Sequence, residues 1–299
     1  MSLNNIIENN SKIAVLLGVY NGGPYLRVQL DSLISQTFRD WTLYIRDDAS
    51  TDNTKEIIRE YCSNYNFIKE IDDEDGNLGC NGNYFRLLSC VESKYYMFCN
   101  ADDYWFKNKI EISYERMVYE EKAHPMKPVI VHTDLSISDH DLNIIQNSYW
   151  EAVNTDPNEF KSYNLLGLCN ISSGATMIFN NSVKAITFPV HKDAPFFDHW
   201  MSLKVVKAGI IATINEPTIS YRQIGTNLAA VSIGKGNTIL GKIFNLKSVF
   251  LKNRKEARML KNIGWGGTLK YLYYKVIILL KLRFGKRYKS GSVNIKTPI

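Results

Sequence analysis

The stretch at residues 95–105 constrains this chain more than any other. An apolar, β-prone run there stops on two adjacent carboxylates, Asp102 and Asp103, and is followed by Trp105. A buried strand that ends at this point places both acids at the carboxyl edge of a sheet, where open α/β folds bind their ligands. Adjacent carboxylates repel each other unless a divalent cation, or a cation shared with a phosphate, lies between them. A helix N-cap is the competing interpretation, because aspartate is a good capping residue.

Strand and helix patterns alternate along the first hundred residues. We predict strands over residues 13–17, 41–45, 66–71 and up to Asp102, and helices over residues 25–34, 53–61 and 83–91. This βαβ order predicts an α/β fold with a Rossmann-like, mostly parallel sheet that is flanked by helices on both faces. Asp47 and Asp48 end the second strand, so two strands bring paired carboxylates to the same edge.

The second half of the chain is mixed, and its last part is basic. Strands are predicted at residues 129–132, 175–179, 210–214 and 219–223, with a helix at 196–206. From about Gly236 the pattern changes to basic helices at 238–258 and 268–286. We therefore expect two units, a large α/β domain over residues 1–235 and a basic helical C-terminal extension over residues 236–299.

Net charge, cysteine content and the lack of long apolar segments indicate which class of protein this is and in which compartment it is expected. The net charge is +6, and the excess lies in the tail, where many Lys and Arg but a single acid, Glu256, occur between Lys235 and Lys296. That charge is modest and comes without a recognisable motif, so we expect no nucleic-acid partner. Five cysteines without a CxxC pair favour reduced thiols in a cytoplasmic protein. The polar N-terminus lacks the apolar core of a signal peptide, and no apolar run is long enough to span a membrane.

Four motifs, taken in order, resemble the family 2 glycosyltransferases, which adopt the GT-A fold. They are residues 19–22 with 33–38, the acidic box at 47–54, residues 76–79 with Asn83, and residues 100–105 in the place of the DXD motif. Further boxes at residues 103–105, 174–180, 197–200 and 221–227 are similar to a bacterial rhamnosyltransferase-like branch. The resemblance covers residues 12–227 and makes the 1–235 unit the catalytic domain.

For the donor, the resemblance implies a nucleotide-binding set that follows the first strands. Its members are Gly18, Tyr20, Asp47, Asp48, Asn77 and Asn83. Asp48 would accept a hydrogen bond from the N3–H of uracil or thymine, Tyr20 would stack on the base, and Gly18 would allow close backbone approach. The structural alternatives for these three residues are a helix cap, a tyrosine at the edge of the core, and a turn.

For the diphosphate, the resemblance implies that Asp102 and Asp103 hold Mg²⁺ or Mn²⁺, with Asn100 and Arg222 beside them. Two departures from the family weaken this expectation. Asn100 replaces the first acid of the motif, and Ile224 replaces a histidine, so a charge and a ligand are missing. The cation is therefore expected to bind weakly, to sit differently or to be dispensable, with Arg222 or tail lysines sharing its role.

For the acceptor side, the resemblance makes Asp198 the general base and gives an acceptor region of Trp105, Gly174, His199 and Trp200. From the residues alone, an N-cap is the simpler interpretation of Asp198. A carboxylate base opposite the leaving group implies in-line displacement with inversion. The expected reaction moves a sugar from dTDP-rhamnose or a UDP-sugar to a hydroxyl of a growing cell-surface glycan. The alternative is a non-catalytic regulator that binds a nucleotide or a carbohydrate, which the departures at Asn100 and Ile224 favour.

The segment at residues 269–284 is too short and too charged to span a membrane. Its aromatic residues, Lys and Arg suit a helix that lies on an anionic membrane surface. A helix packed on the catalytic domain, or on a second subunit in a homodimer, is an equal alternative. The expected partners are thus a nucleotide sugar, a glycan or lipid-linked glycan acceptor, and an anionic membrane. The expected location is the cytoplasm, with peripheral attachment to the inner face of the membrane.

Overall fold

A mixed sheet of nine strands is the centre of the computed structural model, which describes residues 6–224, 246–284 and 288–289. A separate two-stranded parallel sheet is formed by the first and fifth strands. The strands are Ile7–Glu8 (β1), Ile13–Val19 (β2), Trp41–Asp47 (β3), Ile68–Glu70 (β4), Val91–Glu92 (β5), Tyr95–Cys99 (β6), Tyr104–Trp105 (β7), Val129–Ser138 (β8), Ile144–Gln146 (β9), Met177–Asn180 (β10) and Ile210–Arg222 (β11).

Helices cover both faces of the large sheet. They are Gly23–Ile34 (α1), Thr54–Asn64 (α2), Gly79–Cys90 (α3), Lys109–Ala123 (α4), Tyr149–Ala152 (α5), Tyr163–Leu166 (α6), Asn181–Thr187 (α7), Phe197–Ala208 (α8), Leu246–Asn262 (α9) and Thr268–Phe284 (α10). A 3-10 turn at Gly174–Thr176 precedes β10.

The large sheet has a parallel half and a mixed half. Its strand order is β4-β3-β2-β6-β10-β8-β11-β7, with β9 paired to β8. The strands β4, β3, β2 and β6 are parallel, as the sequence predicts. In the other half β10 is antiparallel to both of its neighbours, β11 is parallel to β8, and β7 is antiparallel to β11. The predicted α/β class is confirmed.

Burial on both faces explains the uniformly apolar strands of the parallel half. Ile13, Val15 and Leu17 of β2 pack in one core cluster with α1 and α2, whereas Ala14 and Leu16 pack in a second cluster with α3. Strands buried on both faces need no alternation of polar and apolar residues. The carboxyl ends of β2, β3 and β6 therefore emerge side by side from a rigid core.

Several predicted boundaries move in the structure. Strand β6 ends at Cys99, so Asp102 lies in the turn after the strand and not at its end. Helix α3 begins at Gly79, four residues before the predicted start at Asn83. The two strands predicted at 210–214 and 219–223 are one strand, β11, with irregular pairing between Ile214 and Ser220. Helix α4 and the short elements around it were not predicted.

The two tail helices pack on the α/β domain. Ala257, Leu260, Trp265 and Tyr271 are buried in the second core cluster. The indole N–H of Trp265 donates to the backbone oxygen of Tyr163, 2.9 Å away. The expected unit boundary at residue 235 lies outside the described residues, as does the predicted start of the first tail helix. Among the described helices, none combines the length and the apolar character needed to cross a bilayer.

Candidate active site

The Asp48 carboxylate, just after β3, holds the N-terminus of α3. Its Oδ1 accepts a hydrogen bond from the backbone N–H of Leu78 and its Oδ2 one from Gly79, both at 2.8 Å. The Asn77 side chain donates to the backbone oxygen of Asp48, also at 2.8 Å. These bonds bring the start of α3 to the edge of the sheet, and they explain why this helix begins at Gly79.

A buried guanidinium behind this carboxylate was missed by the sequence analysis. Arg46 donates to both oxygens of Asp73, at 3.0 and 2.8 Å, and to Asp48 Oδ1 at 2.7 Å. It also donates to the backbone oxygen of Gly76 at 2.9 Å. This pairing with Arg46 lowers the pKa of Asp73 to about 2. The available signal was a single Arg inside an apolar strand, since a buried charge needs an acidic partner.

Four more of the residues that were predicted to bind the donor nucleotide lie around the carboxyl ends of β2 and β3. They are Gly18, Tyr20, Asp47 and Asn83. A Cβ on Gly18 would come within 2.9 Å of the Asn83 side-chain nitrogen, so the glycine allows Asn83 to pack against β2. Asp47 accepts hydrogen bonds from the backbone N–H and hydroxyl of Ser50, which closes the turn after β3. Tyr20 is 55% exposed and presents its ring to solvent.

In the DXD-like turn after β6, the Asn100 side chain links Tyr84 to Asp103 through hydrogen bonds. Tyr84 donates its hydroxyl proton to Asn100 Oδ1 at 2.9 Å, and Asn100 Nδ2 donates to Asp103 Oδ2 at 3.0 Å. Asp103 is completely buried, whereas Asp102 remains partly exposed. Burial raises the pKa of Asp102, and burial together with the Asp102 charge raises the pKa of Asp103 well above its usual range. Asp102 is therefore the carboxylate that reaches the surface.

Lys109 is a second buried cation that the sequence analysis did not find. Its ammonium group lies 4.6 Å from the centroid of the Trp105 ring and donates to the Thr218 hydroxyl at 3.3 Å. Burial lowers the pKa of Lys109 to about 7, and the charge of Asp103 opposes that shift. Trp105 itself is fully buried, so it lies in the core beneath the turn and not on the acceptor surface.

Arg222, at the end of β11, ties the DXD-like turn to the neighbouring β8–β9 turn. Its Nε donates to the backbone oxygen of Asp102 at 3.0 Å, and its Nη1 donates to that of His140 at 2.6 Å. The guanidinium lies 5.0 Å from the centroid of the Tyr25 ring. The structure thus brings a positive charge next to the carboxylates, where the sequence predicts it.

The side chains of the DXD-like turn provide few ligands for a divalent cation. Among the described residues, no group of three or more His, Cys, Asp or Glu side chains is placed to hold a metal ion. Asp103 is buried, and both ends of the Asn100 side chain are engaged by Tyr84 and Asp103. Mg²⁺ is commonly held by one or two carboxylates together with substrate phosphates. Asp102 fits an ion of that kind, one that is shared with a bound diphosphate.

Asp198 lies in the first turn of α8, where backbone N–H groups hold its carboxylate. The N–H of Gly174 donates to Oδ2 at 2.9 Å, and the N–H of His199 donates to Oδ1 at 2.6 Å. Burial raises the pKa of Asp198 to about 6. A Cβ on Gly174 would lie 2.6 Å from the Phe197 ring, so only glycine allows this approach. The carboxylate is oriented and its basicity is close to that useful at neutral pH.

The two residues after Asp198 point away from it. The His199 ring contacts the backbone oxygen of Leu166 at 2.6 Å, and the Trp200 indole N–H donates to the backbone oxygen of Thr187 at 2.9 Å. Successive helical residues are turned by about 100°. Of the predicted acceptor region, Gly174 therefore contacts Asp198, while His199 and Trp200 attach α8 to α6 and α7.

The thiol of Cys80, in the first turn of α3, lies within the electrostatic influence of three site carboxylates. Burial raises the pKa of Cys80 to about 11, with further contributions from Asp198, Asp48 and Asp102. The N–H of Phe197 donates to Asn81 Oδ1 at 3.0 Å and joins the starts of α3 and α8. Acids from three separate segments thus lie near the Cys80 thiol at the carboxyl edge of the sheet, and this region is called the candidate cleft.

This chain is similar to known proteins that match most of its length and to others that match about a third of it. The chain is 24% identical over 268 residues to the UDP-Glc:alpha-D-GlcNAc-diphosphoundecaprenol beta-1,3-glucosyltransferase WfaP of Escherichia coli, covering 87% of this chain and 96% of that protein. It is 35% identical over 107 residues to the dTDP-rhamnosyl transferase RfbG of Shigella flexneri, covering 34% and 37% of the two chains.

Solved structures share the fold at low sequence identity. A mannosyltransferase from Pyrobaculum calidifontis in complex with GDP-Man and Mn²⁺ superimposes with a TM-score of 0.55 at 14% identity, over 94% of this chain and 74% of that one. S. aureus TarS 1-349 in complex with UDP-GlcNAc gives a TM-score of 0.53 at 17% identity, over 83% and 71%. The chain spans 37% of a longer TarS chain. The fold is GT-A, as the sequence predicts.

The family model for glycosyl transferase family 2 matches residues 14–179. That span contains β2, β3 and β6 with the acids that follow them, and it ends within β10. It covers more than half of the chain. The chain therefore belongs to glycosyl transferase family 2 and is a glycosyltransferase.

Proposed function

We propose that this enzyme transfers a sugar from a nucleoside-diphosphate donor to a hydroxyl of a growing cell-surface glycan, with inversion and with Asp198 as the general base. The observation that carries the proposal is the Asp198 carboxylate, which is held by two backbone N–H groups and lies near the Cys80 thiol, whose pKa the charges of Asp48 and Asp102 also raise. Its pKa of about 6 leaves it ionised at neutral pH but still able to accept a proton.

The proposed reaction is one displacement. The acceptor oxygen attacks the anomeric carbon while its proton passes to Asp198, and the bond from that carbon to the diphosphate oxygen breaks. The electron pair of that bond leaves with the nucleoside diphosphate. Because attack and departure occur on opposite sides of the anomeric carbon, the configuration inverts.

The donor nucleotide is proposed to lie over the ends of β2 and β3. A carboxylate can accept about four hydrogen bonds, and Asp48 receives three from side-chain and backbone donors, so one position on Oδ2 remains for the N3–H of the base. The exposed Tyr20 ring is proposed to stack on that base. Gly18, Asp47, Asn77 and Asn83 are proposed to shape this part of the site.

The diphosphate is proposed to lie beside the DXD-like turn. Asp102 would hold the divalent cation, Asn100 would orient Asp103 beside it, and Arg222 would add a positive charge. When bound there, a cation neutralises the charge that develops on the leaving group. Ile224 offers no ligand, so the protein contributes little to cation affinity beyond Asp102.

The donor sugar and the acceptor are the finer part of the proposal. One relative is named as a UDP-glucose transferase that acts on a GlcNAc-diphosphoundecaprenol, and another as a dTDP-rhamnosyl transferase. Asp48 accepts equally well from uracil and thymine, so either donor suits the site. We propose a lipid-linked glycan acceptor near Gly174 and Asp198, and a cytoplasmic enzyme attached to the inner face of the membrane.

A donor screen tests the proposal. Nucleotide release is measured with UDP-glucose, UDP-GlcNAc, dTDP-rhamnose and GDP-mannose, each with and without EDTA. We expect release from a UDP- or dTDP-sugar, faster with a lipid-linked acceptor, and its loss in Asp198→Asn. If the protein binds nucleotide tightly but releases no nucleotide from any donor sugar, the proposed transfer reaction is wrong and the protein is better described as a nucleotide-binding regulator.

A further inference from the structure

Helix α10 carries an exposed apolar ridge. The ridge consists of side chains that are between 51% and 85% exposed: Leu269, Leu272, Tyr273, Val276, Leu279 and Leu280. At about 100° per residue, these six positions fall within an arc of about 120° and extend over about 16 Å. The opposite side of α10 is occupied, because Tyr271 is buried and Tyr274 accepts a hydrogen bond from Asn164.

A groove with lysines and aromatic rings lies next to the start of α10. Tyr163, Trp200, Lys204, Lys207 and Ile263 are among its lining residues. The Lys207 ammonium is 4.2 Å from the centroid of the Tyr163 ring, and that of Lys204 is 5.4 Å from the centroid of Trp200.

Lys270 joins the groove to the ridge. Its ammonium lies 5.6 Å from the Tyr163 centroid, and it follows Leu269 directly in sequence. Three lysines, at positions 204, 207 and 270, therefore border the end of the apolar ridge.

The groove is separate from the candidate cleft. Lys204 and Lys207 follow Asp198 by six and nine residues, which turns them by about 240° and 180° around the axis of α8. They consequently face away from the side of the helix that presents the general base. The lysines in the groove have no part in the proposed transfer step.

We propose that the ridge and the groove form one surface that docks on an anionic lipid bilayer. The ridge enters the interfacial layer, and Lys204, Lys207 and Lys270 contact lipid phosphate groups. An amphipathic helix that lies in the membrane plane has this combination of an apolar face and flanking lysines. The proposal rests on the proposed function only in its orientation, which places the cleft near a lipid-linked acceptor.

The positive charge of the tail favours an anionic bilayer, and not a second copy of this chain, as the partner of the ridge. Residues 236–299 contain 15 Lys and Arg and a single acid, Glu256. A symmetric dimer through the ridge would bring two such segments together and pair like charges. An anionic surface instead attracts them, and the attraction is screened by salt.

The ridge is tested by side-chain replacement in the full chain. Deletion of the tail would take Trp265 and Tyr271 out of the core, so it would not isolate the surface. The triple variant Leu272→Ser/Val276→Ser/Leu279→Ser is compared with Tyr119→Ser/Met126→Ser/Ile145→Ser, which removes exposed apolar side chains elsewhere. Co-sedimentation uses vesicles of phosphatidylcholine alone or mixed equally with phosphatidylglycerol.

The expected result is a loss of vesicle binding in the ridge variant of roughly tenfold or more, with the control within about twofold of the natural chain. The variant Lys204→Gln/Lys207→Gln should lose most of the preference for anionic vesicles, again roughly tenfold, whereas Lys107→Gln/Lys122→Gln should keep it. Unchanged binding in either test variant, or no binding by the natural chain at low salt, overturns the proposal.

Two further measurements separate the possible failures. If light scattering shows a dimer that the ridge variant dissociates, the ridge binds a second copy and the membrane proposal is wrong. UDP and dTDP binding, measured by calorimetry on the same variants, should be unchanged. If vesicle binding behaves as expected but no nucleotide sugar is turned over, the docking surface stands and the proposed function fails.

Discussion

Gly174 donates its backbone N–H to Asp198 Oδ2 at 2.9 Å, and a Cβ at position 174 would lie 2.6 Å from the Phe197 ring. The glycine thus contributes a donor and the space in which that donor can approach. A carboxylate held by backbone groups keeps its orientation without the entropy cost of ordering another side chain. This contact connects the strand-side turn at 174–176 with the first turn of α8, and it positions the candidate base.

Replacement of that base gives the first prediction. Asp198→Asn should retain nucleotide affinity and lose turnover by about a hundredfold or more, because an amide cannot accept the proton. Steady-state nucleotide release and calorimetry measure the two quantities. Asp40→Asn, at a partly exposed acid before β3, is the matched control and should leave both unchanged. Near-normal turnover in Asp198→Asn would remove this residue from the mechanism.

The acid limb of the pH profile gives the second prediction. Burial raises the pKa of Asp198 from 3.8 to about 6, so kcat/KM should fall as pH decreases through about 6 and the base becomes protonated. A raised pKa in the folded state favours the protonated native form, so this group stabilises the fold at low pH and not at high pH. Protonation of Asp198 therefore does not unfold the protein, and unfolding at this residue cannot explain the loss of activity at low pH. Circular dichroism at each pH checks that the protein stays folded. A flat profile between pH 5 and 8 would contradict the assignment.

The nucleobase contact gives the third prediction. Asp48→Ala should weaken UDP or dTDP binding by about 1–3 kcal/mol, since the N3–H loses its acceptor. The same change removes the carboxylate to which the N–H groups of Leu78 and Gly79 donate at the start of α3, so thermal stability should also fall. Asp48→Asn retains a side-chain oxygen and separates the two effects. Unchanged affinity in a folded Asp48→Ala protein would place the base elsewhere.

The cation gives the fourth prediction. Activity should fall in Asp102→Ala and in Asp103→Ala, and cation affinity of the natural enzyme should be low. Replacing Asn100→Asp and Ile224→His together should tighten Mn²⁺ or Mg²⁺ binding, because the pair restores a charge and a ligand. Calorimetry with the metal alone and with UDP measures this. If the natural enzyme is fully active in EDTA, no metal ion is needed, and basic side chains neutralise the charge of the diphosphate.

The Arg46–Asp73 pair gives the fifth prediction. Arg46→Met should destabilise the fold by about 3–5 kcal/mol, because it leaves the buried Asp48 carboxylate without a countercharge. Arg27→Met breaks the exposed Arg27–Glu60 pair and should have a much smaller effect, because solvent and salt screen exposed charges. Urea unfolding followed by tryptophan fluorescence compares the two. If the two variants lose the same free energy of unfolding, burial does not make the Arg46 ion pair more important for stability than the exposed Arg27 ion pair.

Local pattern was sufficient for the parallel half of the sheet and for the identity of the family. Runs such as 13–17 are apolar without alternation because both faces are covered, and their order along the chain implies right-handed parallel crossovers. The acids that follow β3 and β6 were recognisable because the carboxyl ends of parallel strands meet at one edge. Boundaries were less predictable, since α3 starts where a distant carboxylate, that of Asp48, satisfies its first N–H groups.

Only the tertiary structure decided which of the predicted residues share the cleft. Residues of one short motif, such as Asp102 and Asp103 or Asp198 and Trp200, are equivalent in the sequence pattern, yet one of each pair is buried or turned to another helix. Arg46 and Lys109 also bond to partners far away in sequence, Asp73 and Thr218, and no local pattern contains those pairs. The sequence alone determined the family, the sheet edge and the basic tail. Packing determined exposure and direction, because these depend on contacts between segments that are distant along the chain.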